Sequence, residues 1–150
     1  MDLKARDIMN EVVVACVPDT RVEDVVRKLA EHGISGMPVI DARKRVVGIV
    51  SESDLLLADE LEPPRVKAAL YGLYIMPERV MEEAARSRGV LVSDVMTKKV
   101  ISFHPDDNVR DIARRMQQER INRVPIVDDE GVLVGILTRA DIIRALAERL

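Results

Sequence analysis

Tryptophan is absent from this 150-residue chain, cysteine occurs once, and aromatic residues make up 2% of the composition. A single Cys16 excludes an internal disulfide and fits a reducing compartment. With only Tyr71, Tyr74 and Phe103 for rings, the core must be aliphatic, and base-stacking platforms of the single-strand-binding kind are not available. No apolar run approaches the roughly 18–20 residues of a membrane span. The opening residues, Met1 to Asp7, carry charges where a signal peptide needs its apolar stretch. Together these absences predict a cytoplasmic protein. There is no Cys-x-x-Cys pair and no His/Cys cluster, so no metal site is expected. There is also no Gly-x-x-x-x-Gly-Lys-Ser/Thr loop for nucleotide hydrolysis. No Ser, His and carboxylate can be assembled into a nucleophilic set, so the chain is not expected to be an enzyme. The net charge of −3 gives no reason to expect non-specific nucleic-acid binding.

What the chain does have is repetition. A step of 87 positions takes Asp7 to Asp94, Met9 to Met96, Pro18 to Pro105, Asp24 to Asp111, Pro38 to Pro125, Gly48 to Gly135 and Asp54 to Asp141. The step holds without a gap, so the two copies should share a backbone course. Related units that cannot bury an apolar face alone pack against each other, and the seam of such a pair is a natural place for a ligand. The composition, 47% hydrophobic and 33% charged, is that of a globular protein.

Each copy opens with an apolar segment, Val12–Val17 or Val100–Phe103, followed by a Pro-Asp turn. Val22, Val25, Val26 and Leu29 then recur at i, i+3, i+4 and i+7, one face of a helix; Val109, Ile112, Ala113 and Met116 repeat it. Thr20-x-x-Glu23 reads as a capping box for the first of these helices, and Asp107 as the cap of the second. Two apolar runs follow in each copy: Met37–Ile40 and Val46–Val50, then Val124–Val127 and Leu133–Leu137. Their continuity predicts strands buried on both faces, joined by the polar turns at 41–44 and 128–131. A second helix begins at Ser51 or Thr138. The order strand, helix, strand, strand, helix makes each unit α/β (α+β), a small sheet covered by two helices. The domains are expected over 1–58 and 90–150. Between them, 59–89 reads as a helical connector, interrupted by Pro63-Pro64 and reopened at Pro77. It is placed to cover apolar surface, to lie over the seam, or to form a dimer contact.

The most informative local motif is Gly48-Ile-Val-Ser51-Glu-Ser-Asp54, repeated as Gly135-Ile-Leu-Thr138-Arg-Ala-Asp141. Read structurally, Ser/Thr-x-x-Asp is a capping box. Read functionally, the helix entrance offers N–H donors to a phosphate, the hydroxyl adds a bond, and the carboxylate is an acceptor suited to a vicinal diol such as ribose. The preceding Gly would let a ligand approach the backbone. His32, beside Gly33, reads as a helix end, and Met9, Met37, Met96 and Met116 as core.

The ordered set Asp-x-Met, Pro-Asp, Pro-Val-x-Asp and Gly-Ile-x-Ser/Thr-x-x-Asp, present twice, resembles a tandem pair of CBS domains (cystathionine-β-synthase-type regulatory units). The resemblance covers about residues 3–58 and 90–150. It implies two β-α-β-β-α units around a pseudo-two-fold axis, with clefts that take AMP, ADP, ATP or S-adenosylmethionine as regulatory rather than catalytic ligands. It also implies a homodimeric disc, and a regulated partner that is a separate molecule. Carried over by position, Asp54 and Asp141 match ribose-gripping carboxylates, and Ser51 and Thr138 the hydroxyls near ribose and phosphate. Because the axis crosses elements between copies, the Asp141 cleft is expected to take its adenine walls from Val14, Ala15, Cys16, Ser35, Gly36, Met37 and Pro38. The Asp54 cleft would use Ile101 to Phe103, Asn122, Val124 and Pro125. Arg123 occupies the phosphate-facing place two before the Pro, where the first copy has Gly36, so the sites should be unequal. Arg139 is expected to join Arg123, and His104 to contribute if its ring faces the cleft. Arg120 reads instead as part of a solvated face with Asp111, Glu119 and Asp129. The competing functions are a structural dimerisation module with empty clefts and, from the arginines of the second copy, single-stranded nucleic-acid binding.

Overall fold

The apolar stripes predicted for the two long helices form as such. The computed structural model of the chain describes residues 2–55 and 90–150; the connector expected over 59–89 lies outside them. Helix α1 spans Ala5–Ile8 and α2 Val22–His32, followed by strands β1, Gly36–Ile40, and β2, Val46–Ser51. In the second copy α3 is Val92–Val95, α4 Val109–Glu119, β3 Arg123–Val127, β4 Leu133–Thr138 and α5 Arg139–Ala147. Val22, Val25, Val26 and Leu29 are buried along α2, and Val109, Ile112 and Met116 along α4.

Strand β1 pairs with β2, and β3 with β4. The second pair is antiparallel and sets Arg123 opposite Thr138, Val124 opposite Leu137, and Pro125 opposite Ile136, with a register shift between Ile126 and Val127. Strand β1 is buried on both faces, as its continuous apolar run predicts. Strands β2 and β4 depart from that expectation: only Gly48 and Val50, or Gly135 and Leu137, are fully buried, and their neighbours are half-exposed. Side chains alternate between the two faces of a strand, and in β2 and β4 only one face is turned to the core. The opening segments of the copies also fall short of strands. Each reduces to a one-residue parallel bridge, Cys16 to Val39 and Phe103 to Ile126, and Val12 stands 83% exposed.

The caps differ as well. Arg21, not Thr20, is the N-cap of α2. The Thr20 hydroxyl instead accepts the N–H of Val17 at 3.1 Å, and Asp107 does the same for His104 at 2.7 Å. Both side chains are consumed in closing the Pro-Asp turn, which leaves Asn108 to cap α4 through the N–H of Arg110.

Two compact units result, and they do not follow the sequence copies. One gathers Met1–Val13, Arg43–Val46 and Ile101–Leu150; the other gathers Val14–Ala42 and the described residues of 47–100. The leading segments have therefore changed copy. Ala5 of α1 is buried with Val109, Ile112, Met116, Val124, Ile126, Leu137 and Ile142. Val92 of α3 is buried with Val22, Val25, Leu29, Met37, Val39, Val50 and Leu55. Under the 87-step these are the same core positions, with the first helix exchanged.

Left-handed backbone occurs at the same places in both copies. Gly33 (φ 61°) ends α2 where Arg120 (φ 54°) ends α4, and Lys44 (φ 62°) turns where Gly131 (φ 82°) turns. Only one copy has glycine at each place, so the fold imposes the conformation. A side chain in this region costs about 1–2 kcal/mol, partly offset by glycine's larger unfolded-state freedom. Arg120→Gly is accordingly expected to raise stability by about 0.5–1 kcal/mol, read as a higher urea midpoint at unchanged slope.

Candidate functional site

Each Ser/Thr-x-x-Asp motif sits where a strand hands over to a helix. Strand β4 ends at Thr138, which keeps an extended backbone and caps α5. Asp141 Oδ2 accepts the N–H of Thr138 at 2.9 Å, and the Thr138 hydroxyl accepts the N–H of Asp141 at 3.1 Å. The N–H of Arg139 donates to the carbonyl of Asn122 at 3.0 Å. Three N–H donors at the entrance of α5 are therefore taken from within the chain, so the capping reading of this motif holds. The first copy is built alike. Asp54 Oδ2 accepts the Ser51 N–H at 2.9 Å and the Ser51 hydroxyl at 3.2 Å, while the Glu52 N–H donates to the Ser35 carbonyl at 3.0 Å.

Capping uses Oδ2 of each carboxylate and leaves Oδ1 to a second side chain. Asp141 Oδ1 has Arg144 Nη1 at 3.4 Å, from a side chain that is 65% exposed. Asp54 Oδ1 accepts the Thr97 hydroxyl at 2.8 Å. The Oδ1 atoms, which take no part in the caps, are thus the chemically adjustable part of each motif, since an ionised carboxylate oxygen accepts more than one hydrogen bond.

The glycine of each motif has a role other than the one expected. A Cβ on Gly48 would lie 2.6 Å from the sulfur of Met96, and one on Gly135 would lie 2.6 Å from the sulfur of Met9. What approaches the backbone here is a thioether from the exchanged leading segment. The residue after each Met pairs with the strand through two hydrogen bonds: Thr97 with Ile49, at 2.8 and 3.0 Å, and Asn10 with Ile136, both at 2.9 Å.

The other candidate residues fall in two groups. Val14, Ala15, Cys16, Ser35, Gly36, Met37 and Pro38 lie in the unit that holds Ser51 and Asp54; Ile101, Phe103, His104, Asn122, Arg123, Val124 and Pro125 lie with Thr138, Arg139 and Asp141. Each set thus falls in the same compact unit as the motif of its own copy. Met37, Val39, Val124 and Ile126 are fully buried core. The Cys16 N–H donates to the Pro38 carbonyl at 3.1 Å, and the Phe103 N–H to the Pro125 carbonyl at 3.1 Å. Burial pushes the Cys16 thiol up to about 11, against a small opposing pull from Lys28, so it stays protonated near neutral pH. Lys28 Nζ donates to the Ala15 carbonyl at 3.0 Å.

Arg123 stands directly across the ladder from Thr138, a separation of about 5 Å between Cβ atoms. Arg139, at the first position of α5, is exposed. The ring of His104 is already engaged: Nε2 lies 2.9 Å from Asp129 Oδ1, and Nδ1 accepts the Asp106 N–H at 3.3 Å. Asp106 is itself paired with Arg6. His104 therefore fastens two turns together. An apolar pocket of about 190 Å³ lies elsewhere in the same unit, between α4 and α5, and is lined by Leu3, Val109, Ala113, Ile142 and Leu146 among others; none of the candidate residues borders it. Among the described residues, no group of three or more His, Cys, Asp or Glu could hold a metal ion.

The residues missed by sequence reasoning are Asn10, Thr97 and Arg144, while Met9 and Met96 pack against the cores as expected. The 87-step flagged Met9 and Met96 as equivalent, but only the exchange of leading segments places their neighbours beside the motifs. Arg144 follows Asp141 by three on α5, a helical spacing that was legible.

Comparison with known proteins agrees with this architecture. The CBS domain profile matches residues 5–60 and 92–148. Protein MJ1426 of Methanocaldococcus jannaschii is 38% identical over 157 residues, which cover 94% of this chain and 89% of that protein. The CBS domain-containing protein CBSX1, chloroplastic, of Arabidopsis thaliana is 32% identical over 133 residues, 85% of this chain. Those residues make up only 56% of the Arabidopsis protein, so the match spans little more than half of its length. Among solved structures, that of CBSX2 in complex with AMP is 30% identical, with a TM-score of 0.75 and 97% of each chain covered. The chain belongs to the CBS-domain family, with the domain present twice in tandem.

Proposed function

We propose that this chain is a regulatory module that binds an adenosine-containing ligand, one per unit, with AMP, ADP, ATP and S-adenosylmethionine as the candidates. The carrying observation is the division of labour within each carboxylate. Oδ2 of Asp54 and of Asp141 closes the helix cap, while Oδ1 takes no part in the cap and is met by one side chain, Thr97 or Arg144, that a vicinal diol would replace. A cap and a ribose grip are thus compatible in one side chain. In this reading Ser51 and Thr138 lie near ribose and phosphate, and Arg123 and Arg139 supply charge to the phosphate in the second unit. The adenine would lie against Val14–Cys16 and Ser35–Pro38 in one unit, and against Ile101–Phe103 and Asn122–Pro125 in the other. The complex of the relative CBSX2 with AMP supports the ligand class.

Ligand binding shifts a conformational equilibrium only by its differential affinity for the two states. The output is read by a separate cytoplasmic protein, with the module paired with a second copy of itself. Among the described residues, no helix is long and apolar enough to cross a membrane.

The test is calorimetry with AMP, ATP and S-adenosylmethionine on the wild-type chain and on Asp141→Ala and Asp54→Ala. Loss of a hydrogen-bonded carboxylate is expected to weaken binding at its own site by about 1–3 kcal/mol, or roughly 5- to 150-fold. Because Asp141 also caps α5, a melting curve without ligand is needed to separate binding from stability. Unchanged affinity in both variants would remove the ribose grip. The satisfied donors at the entrance of α5 favour one second reading, a structural module without ligand. In that case none of these nucleotides would raise the melting temperature.

A further inference from the structure

Oδ2 of each carboxylate accepts the N–H of its own cap residue, but the two Oδ1 atoms differ, and the difference involves two pairs of equivalent positions: Thr97 with Asn10, and Leu57 with Arg144. Thr97 and Asn10 are related by the 87-step, and each is fixed to the motif strand by a two-hydrogen-bond bridge. Thr97 turns its hydroxyl onto Asp54 Oδ1 at 2.8 Å. Asn10 turns its side-chain oxygen along its own chain, accepting the N–H of Val12 at 3.0 Å, an Asx turn. Asp141 Oδ1 is met instead by Arg144, at 3.4 Å from a largely exposed side chain.

A hydroxyl donating to an ionised carboxylate is the same interaction that a ribose hydroxyl would make. We propose that Thr97 is an internal latch: its hydroxyl occupies the ligand-facing oxygen of Asp54, while Asn10 makes no such bond and leaves the corresponding oxygen of Asp141 to the exposed Arg144. This rests on the ribose-gripping role proposed for the two carboxylates. A ligand entering the first-copy unit must displace the Thr97 hydroxyl from a site whose backbone does not let it drift away. A ligand entering the second-copy unit has the solvated Arg144 to displace, and meets Arg123 and Arg139 besides. The second-copy unit therefore fills first. The first-copy unit responds at higher ligand concentration, with residue 97 contributing to the gap.

The two residues can be exchanged without altering the motif itself. With AMP as the probe in calorimetry, Asp141→Ala isolates the first-copy unit and Asp54→Ala the second. Added to Asp141→Ala, Thr97→Asn is expected to tighten AMP binding roughly 3- to 10-fold, the worth of one displaced hydrogen bond. Its side chain is expected to turn to the N–H of Lys99, as that of Asn10 turns to Val12. Thr97→Val, which removes the hydroxyl and nothing larger, should act in the same direction. Added to Asp54→Ala, Asn10→Thr is expected to weaken binding by a similar factor. Opposite signs at the two places separate a latch from a general loss of structure, and melting curves of each variant confirm folding. If the Asp54→Ala chain binds AMP but neither exchange moves affinity in its stated direction, the latch is overturned and the ribose grip stands. If Asp54→Ala and Asp141→Ala both bind AMP like wild type, or the wild-type chain binds none, the ribose reading falls and the latch with it.

Discussion

Leu137→Ala is expected to destabilise the second-copy unit by about 2–5 kcal/mol, the range for emptying a packed leucine site. Leu137 is fully buried in β4, opposite Val124, in a cluster with Ile112, Met116, Ile126 and Ile142. Its strand is held to β3 by the ladder, which keeps the backbone from collapsing inward to refill the space. Leu137→Met, which conserves volume, should cost under about 1.5 kcal/mol. Urea unfolding followed by circular dichroism reads both. A loss below about 1 kcal/mol for the alanine variant would mean that this core is loosely filled. The equivalent residue in the first copy is Val50, also fully buried. Fewer methyl groups are lost in Val50→Ala, so the effect there should be smaller.

Gly135→Ala carries the second-largest expected effect. Its Cβ would meet the Met9 sulfur at 2.6 Å, the Met9 Cγ at 3.0 Å and the Asn10 carbonyl oxygen at 3.3 Å. Methionine can swing away, but the carbonyl belongs to a backbone held to Ile136 by two hydrogen bonds. Overpacking of this kind costs about 1–3 kcal/mol, and Gly135→Val should exceed it. A double variant with Met9→Ala should recover part of the loss, because residues in contact couple by about 0.5–3 kcal/mol. Gly48→Ala with Met96→Ala provides the matching cycle in the first copy, where the contacts are 2.6, 3.1 and 3.2 Å. Strict additivity in both cycles would contradict the packing described here.

These two residues also mark how far the sequence could be read. The core position of Leu137 was legible, because an apolar run bounded by polar turns folds as a strand with at least one buried face, and the 87-step reproduced it at Val50. The glycines were legible as places of close approach, but not which group approaches. Their partners, Met9 and Met96, come from segments that join the opposite copy, and a constant step cannot reveal an exchange between identical positions. Caps were harder still. Thr20-x-x-Glu23 has the right spacing for a capping box, yet the Thr20 hydroxyl is held by Val17, three residues before it. Two local motifs compete for one side chain, and the Pro-Asp turn prevails. Ser51-x-x-Asp54 and Thr138-x-x-Asp141 were legible as caps and as ligand motifs alike, and the two readings share the carboxylate. Thr97 was invisible as a site residue because its distance from Asp54, 43 positions along the chain, is bridged only by the fold.

The swapped leading segments also order the steps of biosynthesis. Residues 14–42 find their partners no later than Thr97, since α3 and Thr97 complete that core. Leu3, Ala5 and Asn10 must wait for Val109, Ile112 and Ile136, which are made well after them. The leading segment thus stays unmatched while the residues between are made, and its docking, a contact of high sequence separation, is the natural slow step of maturation.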